Sequence, residues 1–173
     1  MTPVPLKRLG VVVSFALVVP MLTQAQGAAI ARPSIVAKSS HSLVVDPSLA
    51  GFRLGEPAAN AIARLGRPLT KEIIGEGPDA IVSYANNKTG ITILLTPNEG
   101  VGIILVTNRN AGALDTIRVG DPYESIVARW GPPAAGGASE ALWLAGEYII
   151  TVKCDDAGHL SRLGIGYVLH DAT

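Results

Sequence analysis

One stretch of this chain occurs twice, and the repeat constrains the fold more than any other feature. Phe52-Arg53-Leu54-Gly55-Glu56-Pro57, then Ile62-Ala63-Arg64-Leu65-Gly66-Arg67-Pro68, returns as Ile117-Arg118-Val119-Gly120-Asp121-Pro122, then Val127-Ala128-Arg129-Trp130-Gly131-Pro132-Pro133. Seven identities, from Arg53/Arg118 to Pro68/Pro133, stand 65 residues apart without a gap. A fixed, ungapped spacing of this kind marks a duplicated structural unit.

Each copy spells out a short helix. In the second, Asp121 is expected at the N-cap, Pro122 at the first helical position and Glu124 in the first turn. Tyr123, Ile126, Val127 and Trp130 fall on one helical face. Gly131 supplies a left-handed C-terminus, and Pro132 and Pro133 prevent continuation. The first copy has Glu56 as a weaker cap and Pro57, Ile62, Leu65, Gly66 and Pro68 in the same roles. Each helix has about nine residues, so packing must hold it.

Strands follow each helix. The first copy is expected to place them at 71–74, 80–84, 91–95 and 102–107, with hairpin loops at 86–90 and 97–100. The second has 141–144, 148–154 and 160–168, with loops at 145–147 and 155–158. Aligning 96–100 with 154–158 gives a spacing of 58, which leaves the second copy seven residues shorter. The Ala- and Gly-rich stretch 134–139 reads as flexible. The fold class is therefore α+β. Two tandem units, 49–110 and 111–170, each contribute a helix and an antiparallel meander, with the helices on one side of the sheet. The other face is left for a partner.

The first 48 residues stand apart from these units. Lys7 and Arg8 precede an apolar run at 11–22, and small and polar residues follow, which is the layout of a secretory signal peptide over 1–25. The run is short of the roughly 20 residues that a bilayer span needs. Residues 26–48 read as an arm or linker, with 42–45 a candidate edge strand. The expected location is secreted or periplasmic, with no membrane insertion once the leader is cut. Cleavage there leaves 12 Lys and Arg against 14 Asp and Glu, a net charge of −2. That balance and the low aromatic content give no footing for nucleic acid. Cys154 is the only cysteine, so no disulfide can form within the chain. Its place in an alternating strand reads as a small buried hydrophobe.

The pattern apolar-Arg-apolar-Gly-Asp-Pro, a short helix ending in Trp130-Gly131-Pro132-Pro133, a meander, and Asp155-Asp156-Ala157-Gly158 before the last strand resembles the β-lactamase-inhibitor-protein-like superfamily. That group includes secreted inhibitory proteins of two tandem modules and the one-module lipoprotein of the outer-membrane barrel assembly machinery. The resemblance covers about residues 51 to 168. It implies a secreted scaffold that binds another extracytoplasmic protein through its sheet face and loops. The chain lacks the disulfides of the inhibitors and the lipidated cysteine of the lipoprotein.

The sequence offers no catalytic set. No Gly-x-Ser-x-Gly, HExxH or CxxC occurs, so no nucleophile elbow or metal motif is expected. Asp155, Asp156 and His159 share one turn and are the candidates for a weak metal site, although an Asx turn by itself accounts for Asp and Gly there. Gly164 and Gly166 lie late in a strand, where small residues allow close packing. The expectation is a non-enzymatic protein-binding module without cofactors, a hydrolase inhibitor or an envelope-complex accessory protein. The alternative is a small-ligand or metal-binding periplasmic module. Exposed aromatic and arginine residues anchor protein interfaces, so Trp143, Tyr148, Tyr84 and Arg118 are the candidate partner-binding residues. Trp130, at the end of an apolar helix face, is expected in the core.

Overall fold

Most strands arise where β-branched and aliphatic residues run or alternate, a composition suited to a pleated, half-buried surface. The computed structural model describes residues 43–77, 80–96 and 100–168. The expected leader, the arm up to residue 42, His41, His170 and hairpin positions 97–99 lie outside the described residues.

A two-stranded ribbon, β1 (Ser48–Leu49) and β2 (Phe52–Arg53), precedes helix α1 (Ala58–Leu65). Strands β3 (Thr70–Ile74), β4 (Ile81–Asn86), β5 (Ile91–Thr96) and β6 (Gly100–Val106) follow, then a 3-10 turn at Arg109–Ala111. Helix α2 (Tyr123–Trp130) leads to β7 (Ala135–Gly136), β8 (Glu140–Ala145), β9 (Tyr148–Cys154) and β10 (Leu160–Tyr167). The last eight strands form a single antiparallel sheet in the order β3-β4-β5-β6-β10-β9-β8-β7. The last strand of each half therefore meets the other at the centre, with Ile104 opposite Ile165 and Val106 opposite Leu163.

One row of the sheet runs Ile93, Ile104, Ile165, Ile150, Trp143 from β5 to β8. These side chains join Ala61 and Leu65 of α1 and Ile126 and Trp130 of α2 in one buried cluster. Both helices thus contribute their buried faces to the same side of the sheet. Trp130, as expected, is core.

The helices stand 65 residues apart, as the repeat demands, but their starts differ from expectation. Each begins one residue after its proline and is eight residues long. Pro57 and Pro122 occupy the N-cap, and neither helix has a side-chain cap. Asp121 instead accepts the Arg118 amide at 2.9 Å, and Glu56 the Arg53 amide at 3.4 Å. The two acids close the turn before the helix. At the other end Gly66 and Gly131 take φ of 73° and 79°, the positive values that release a chain from a helix.

The repeat also reaches further upstream, through one more identity in the same register, Leu49/Leu114. Leu49 pairs with Phe52, and Leu114 with Ile117, 65 residues on. Both tips have positive φ at their two central residues, Ala50 and Gly51 at 57° and 81°, Asp115 and Thr116 at 46° and 76°. The tips share a conformation without sharing a residue, so sequence identity does not reveal them.

Three further expectations are corrected. Stretch 134–139 is not a loose segment: β7 pairs with β8, and a Cβ on Gly136, at φ 86°, would run into the Glu140 carbonyl oxygen. Its glycine serves a tight turn. Residues 43–45 form no strand, and Leu43 and Val45 pack on the core. The spacing of 58 fails too. Cys154 faces the core, whereas Thr96 alternates with Ile93 and Leu95 and faces away. The pairing gives 59 instead: Leu94↔Ile103 and Leu95↔Val101 recur as Lys153↔Arg162 and Cys154↔Leu160, with the register irregularity at the same place in each hairpin.

Candidate functional site: the open face of the sheet

The residues opposite the core row form the candidate site. Pairing places Leu94, Ile103, Gly166, Ile149 and Leu144 in one row across β5, β6, β10, β9 and β8. The next row runs Thr92, Leu105, Gly164, Thr151, Leu142. Neither row contains a charge. Leu144 is 53% exposed; Leu94, Ile103, Leu105, Ile149 and Leu142 are half-buried. A single layer shades its own side chains to that degree, and no described helix contributes to this side.

Two glycines flatten the face at its centre. A Cβ on Gly164 would lie 2.5 Å from Leu105 Cδ2 and 2.5 Å from Thr151 Oγ1. One on Gly166 would lie 3.1 Å from Ile103 Cγ1. The flanking side chains lean over β10 and cover it, as close packing at Gly164 and Gly166 leads one to expect. Arg162, Lys153 and Glu140 form the next row and a charged rim, with Arg162 Nη2 3.7 Å from Glu140 Oε1.

The four residues expected at the interface do not assemble there. Trp143 is 3% exposed and belongs to the core. Its indole donates to the Gly131 carbonyl at 3.0 Å and meets the Trp130 ring edge-on at 5.6 Å. The pleat fixes this: Ala141, Trp143 and Ala145 point to the helices, Leu142 and Leu144 away. Tyr84 and Tyr148 are half-buried against the core, and four strand spacings, about 19 Å, separate their strands. Lys71 Nζ lies 5.8 Å from the Tyr84 ring centre, and Tyr148 packs on Tyr167 at 5.8 Å. Arg118 is exposed in the turn before α2. The sequence signal for this open face is the lack of alternation: Gly-Val-Gly-Ile-Ile-Leu-Val in β6 and Glu-Ala-Leu-Trp-Leu-Ala in β8 are apolar on both sides.

Several polar groups away from this face are paired within the fold. Arg64 forks onto both oxygens of Glu56, one at 2.7 Å, and lies 4.9 Å above the Phe52 ring. It borders a shallow depression of about 360 Å³ with Phe52, Leu65, Thr89 and Ile91. Asp155 Oδ1 accepts the Ala157 and His159 amides at 3.0 and 2.8 Å, the Asx turn. Among the described residues no three metal-ligating side chains converge. Burial, with Asp155 and Glu124 behind it, raises the Cys154 thiol pKa, and the side chain is in the core. Among the described residues no helix is long and apolar enough to cross a membrane.

The chain is thus an α+β protein, over its described residues mostly antiparallel sheet with two helices. No protein-family model matches it, and no curated protein does. Among solved structures it is similar to an extracellular protein containing a SCP domain from Bacillus anthracis str. Ames, with a TM-score of 0.40 and 10% identity. That match covers 87% of this chain and 50% of the other, so the chain spans about half the length of the structure it matches.

Proposed function

We propose that this is an exported, non-enzymatic protein-binding module that docks another extracytoplasmic protein on its open sheet face. The observation that carries the reading is the pair of uncharged rows, continuous across five strands, on the side away from both helices. Contiguous apolar surface of this kind marks an interaction site more often than chance exposure. The strand order is consistent with two tandem units, β3-β4-β5-β6 and β7-β8-β9-β10, joined through their last strands. That arrangement and the repeated turn-helix stretch agree with the resemblance to the inhibitor-like superfamily. Its members suggest the kind of task, restraint of a hydrolase or support of an envelope complex. The leader-like first 25 residues support a secreted or periplasmic location.

Site-specific photo-crosslinking in the producing cell tests this. A photo-reactive residue at Leu144 or Ile149 should give one discrete protein adduct, and one at the exposed hairpin residue Lys88 should give none. The pair Leu144→Asp and Ile149→Asp should abolish an adduct formed from position 142 while the melting temperature holds. Absence of any adduct from the open face, or the same adduct from Lys88, removes the proposal.

A further inference from the structure

The two edges of the sheet are built differently. At one, β7 is two residues long, follows Pro132 and Pro133, and has Gly136 at φ 86°. Proline has no amide hydrogen to give, and so short a strand offers little to pair with, which is how natural sheets close an edge. At the other, β3 is regular and pairs with β4 through all five residues, Thr70 to Ile74. No described strand lies on its outer side. All five residues are exposed, Ile73 at 62% and Ile74 at 43%. Alternation sends these two isoleucines to opposite faces. A strand with outward N–H and C=O groups and bare aliphatic side chains is a template for another strand.

Charge selects the occupant. Lys71 shares the core-side face with Tyr84, and Glu72 lies on the open face opposite Ser83. A second copy adding antiparallel by a two-fold axis normal to the sheet must keep its faces. It therefore sets residues of the same face against each other. Centred on Lys71 it opposes two lysines, and centred on Glu72 two glutamates, both unfavourable. Centred on Ile73 it keeps only residues 72–74 paired, because Gly75 at φ 86° leaves the strand. A segment of a different chain has no such symmetry to satisfy.

We propose that β3 is a docking edge for an extended segment of another protein, added antiparallel. Aliphatic residues of the segment lie opposite Ile74 and Ile73, a basic residue opposite Glu72 and an acidic residue opposite Lys71. Main-chain hydrogen bonds give the affinity, and the two cross-strand charge pairs give the choice. This inference does not depend on whether the open face has a partner.

An NMR titration of the 15N-labelled mature chain decides it. The probes are two capped peptides at up to millimolar concentration, Val-Val-Lys-Glu-Thr and its charge-swapped form Val-Val-Glu-Lys-Thr. The first should shift amides of β3 and β4 and bind about tenfold tighter than the second, since two attractive pairs become two repulsive ones. The double variant Lys71→Glu, Glu72→Lys should reverse the preference. Three results overturn the proposal: no shift in β3 with either peptide, equal affinity for both, or a preference that survives the charge reversal. Shifts of β3 on diluting the protein alone also overturn it, because they make the occupant a second copy.

Discussion

The Asp115 carboxylate ties a hairpin tip to the last turn of α2. It accepts Arg129 Nε and Nη2 at 3.1 and 3.0 Å and the Trp130 indole at 3.2 Å. The backbone that presents it is held at positive φ in two successive non-glycine residues, a conformation that survives only when the surroundings impose it. The Arg129 hydrogen bond holds the Asp115 pKa below the ordinary aspartate value, against a partial burial that acts the other way. A carboxyl depressed in the folded state adds stability above its unfolded pKa of about 4. That contribution is lost as the pH falls through the folded value. Asp115→Asn should therefore lower the urea midpoint at pH 7, by an increment on the order of 1 kcal/mol for so exposed a pair. The gap to the parent should narrow at a pH below the unfolded value of about 4, as the folded carboxyl begins to protonate. An unchanged gap at both pH values would show that shape, not charge, is what Asp115 supplies.

At the scale of elements, β8 shows what a sequence can and cannot say. Its boundaries, 141–144 expected and Glu140–Ala145 observed, follow from composition. Its facing does not, because Ala141-Leu142-Trp143-Leu144 is apolar at every position. Either set could be the inner one, and only the partner strand decides. Pairing with Ile150 places Trp143 under α2, beside Trp130 and Tyr123. Composition therefore does not decide whether Trp143 is exposed, and it hides the open-face leucines in the same way. In β9 Lys153 breaks the apolar run, and Cys154 is buried as the alternation predicts. The repeated turn was legible in residue type but not in role: Asp121 does bind a backbone amide, that of Arg118 rather than one of the helix. Trp143→Ala should cost about 3–5 kcal/mol, through lost burial and the cavity left behind. Trp143→Phe keeps most of the contact but removes the donor from the Gly131 carbonyl, and should cost about 1–3 kcal/mol. Chemical denaturation followed by circular dichroism measures both. A Trp143→Ala protein as stable as the parent would return this residue to the list of surface anchors.

The whole molecule is where the repeat and the fold part company. The duplication suggests two units, yet the sheet is single and its centre is the joint between β6 and β10. Strand order could not be read from the chain, because β6 and the part of β10 that pairs with it, Leu163–Gly166, are apolar or glycine on both faces, and no charge there names a neighbour. Once paired, Ile104 touches both halves: Ile93 stands opposite it on β5 and Ile165 on β10. Each half alone would expose the joint strand and half of the buried cluster. The structure therefore predicts one cooperative unfolding transition rather than two. Both tryptophans, Trp130 and Trp143, lie in the second half and report on it alone. Ile93→Ala is in the first half, fully buried, and should cost about 2–5 kcal/mol. If the halves share one core, this substitution lowers the midpoint of the tryptophan-fluorescence transition as much as that of circular dichroism. If they fold separately, the fluorescence transition stays where it was, and the circular dichroism curve splits in two.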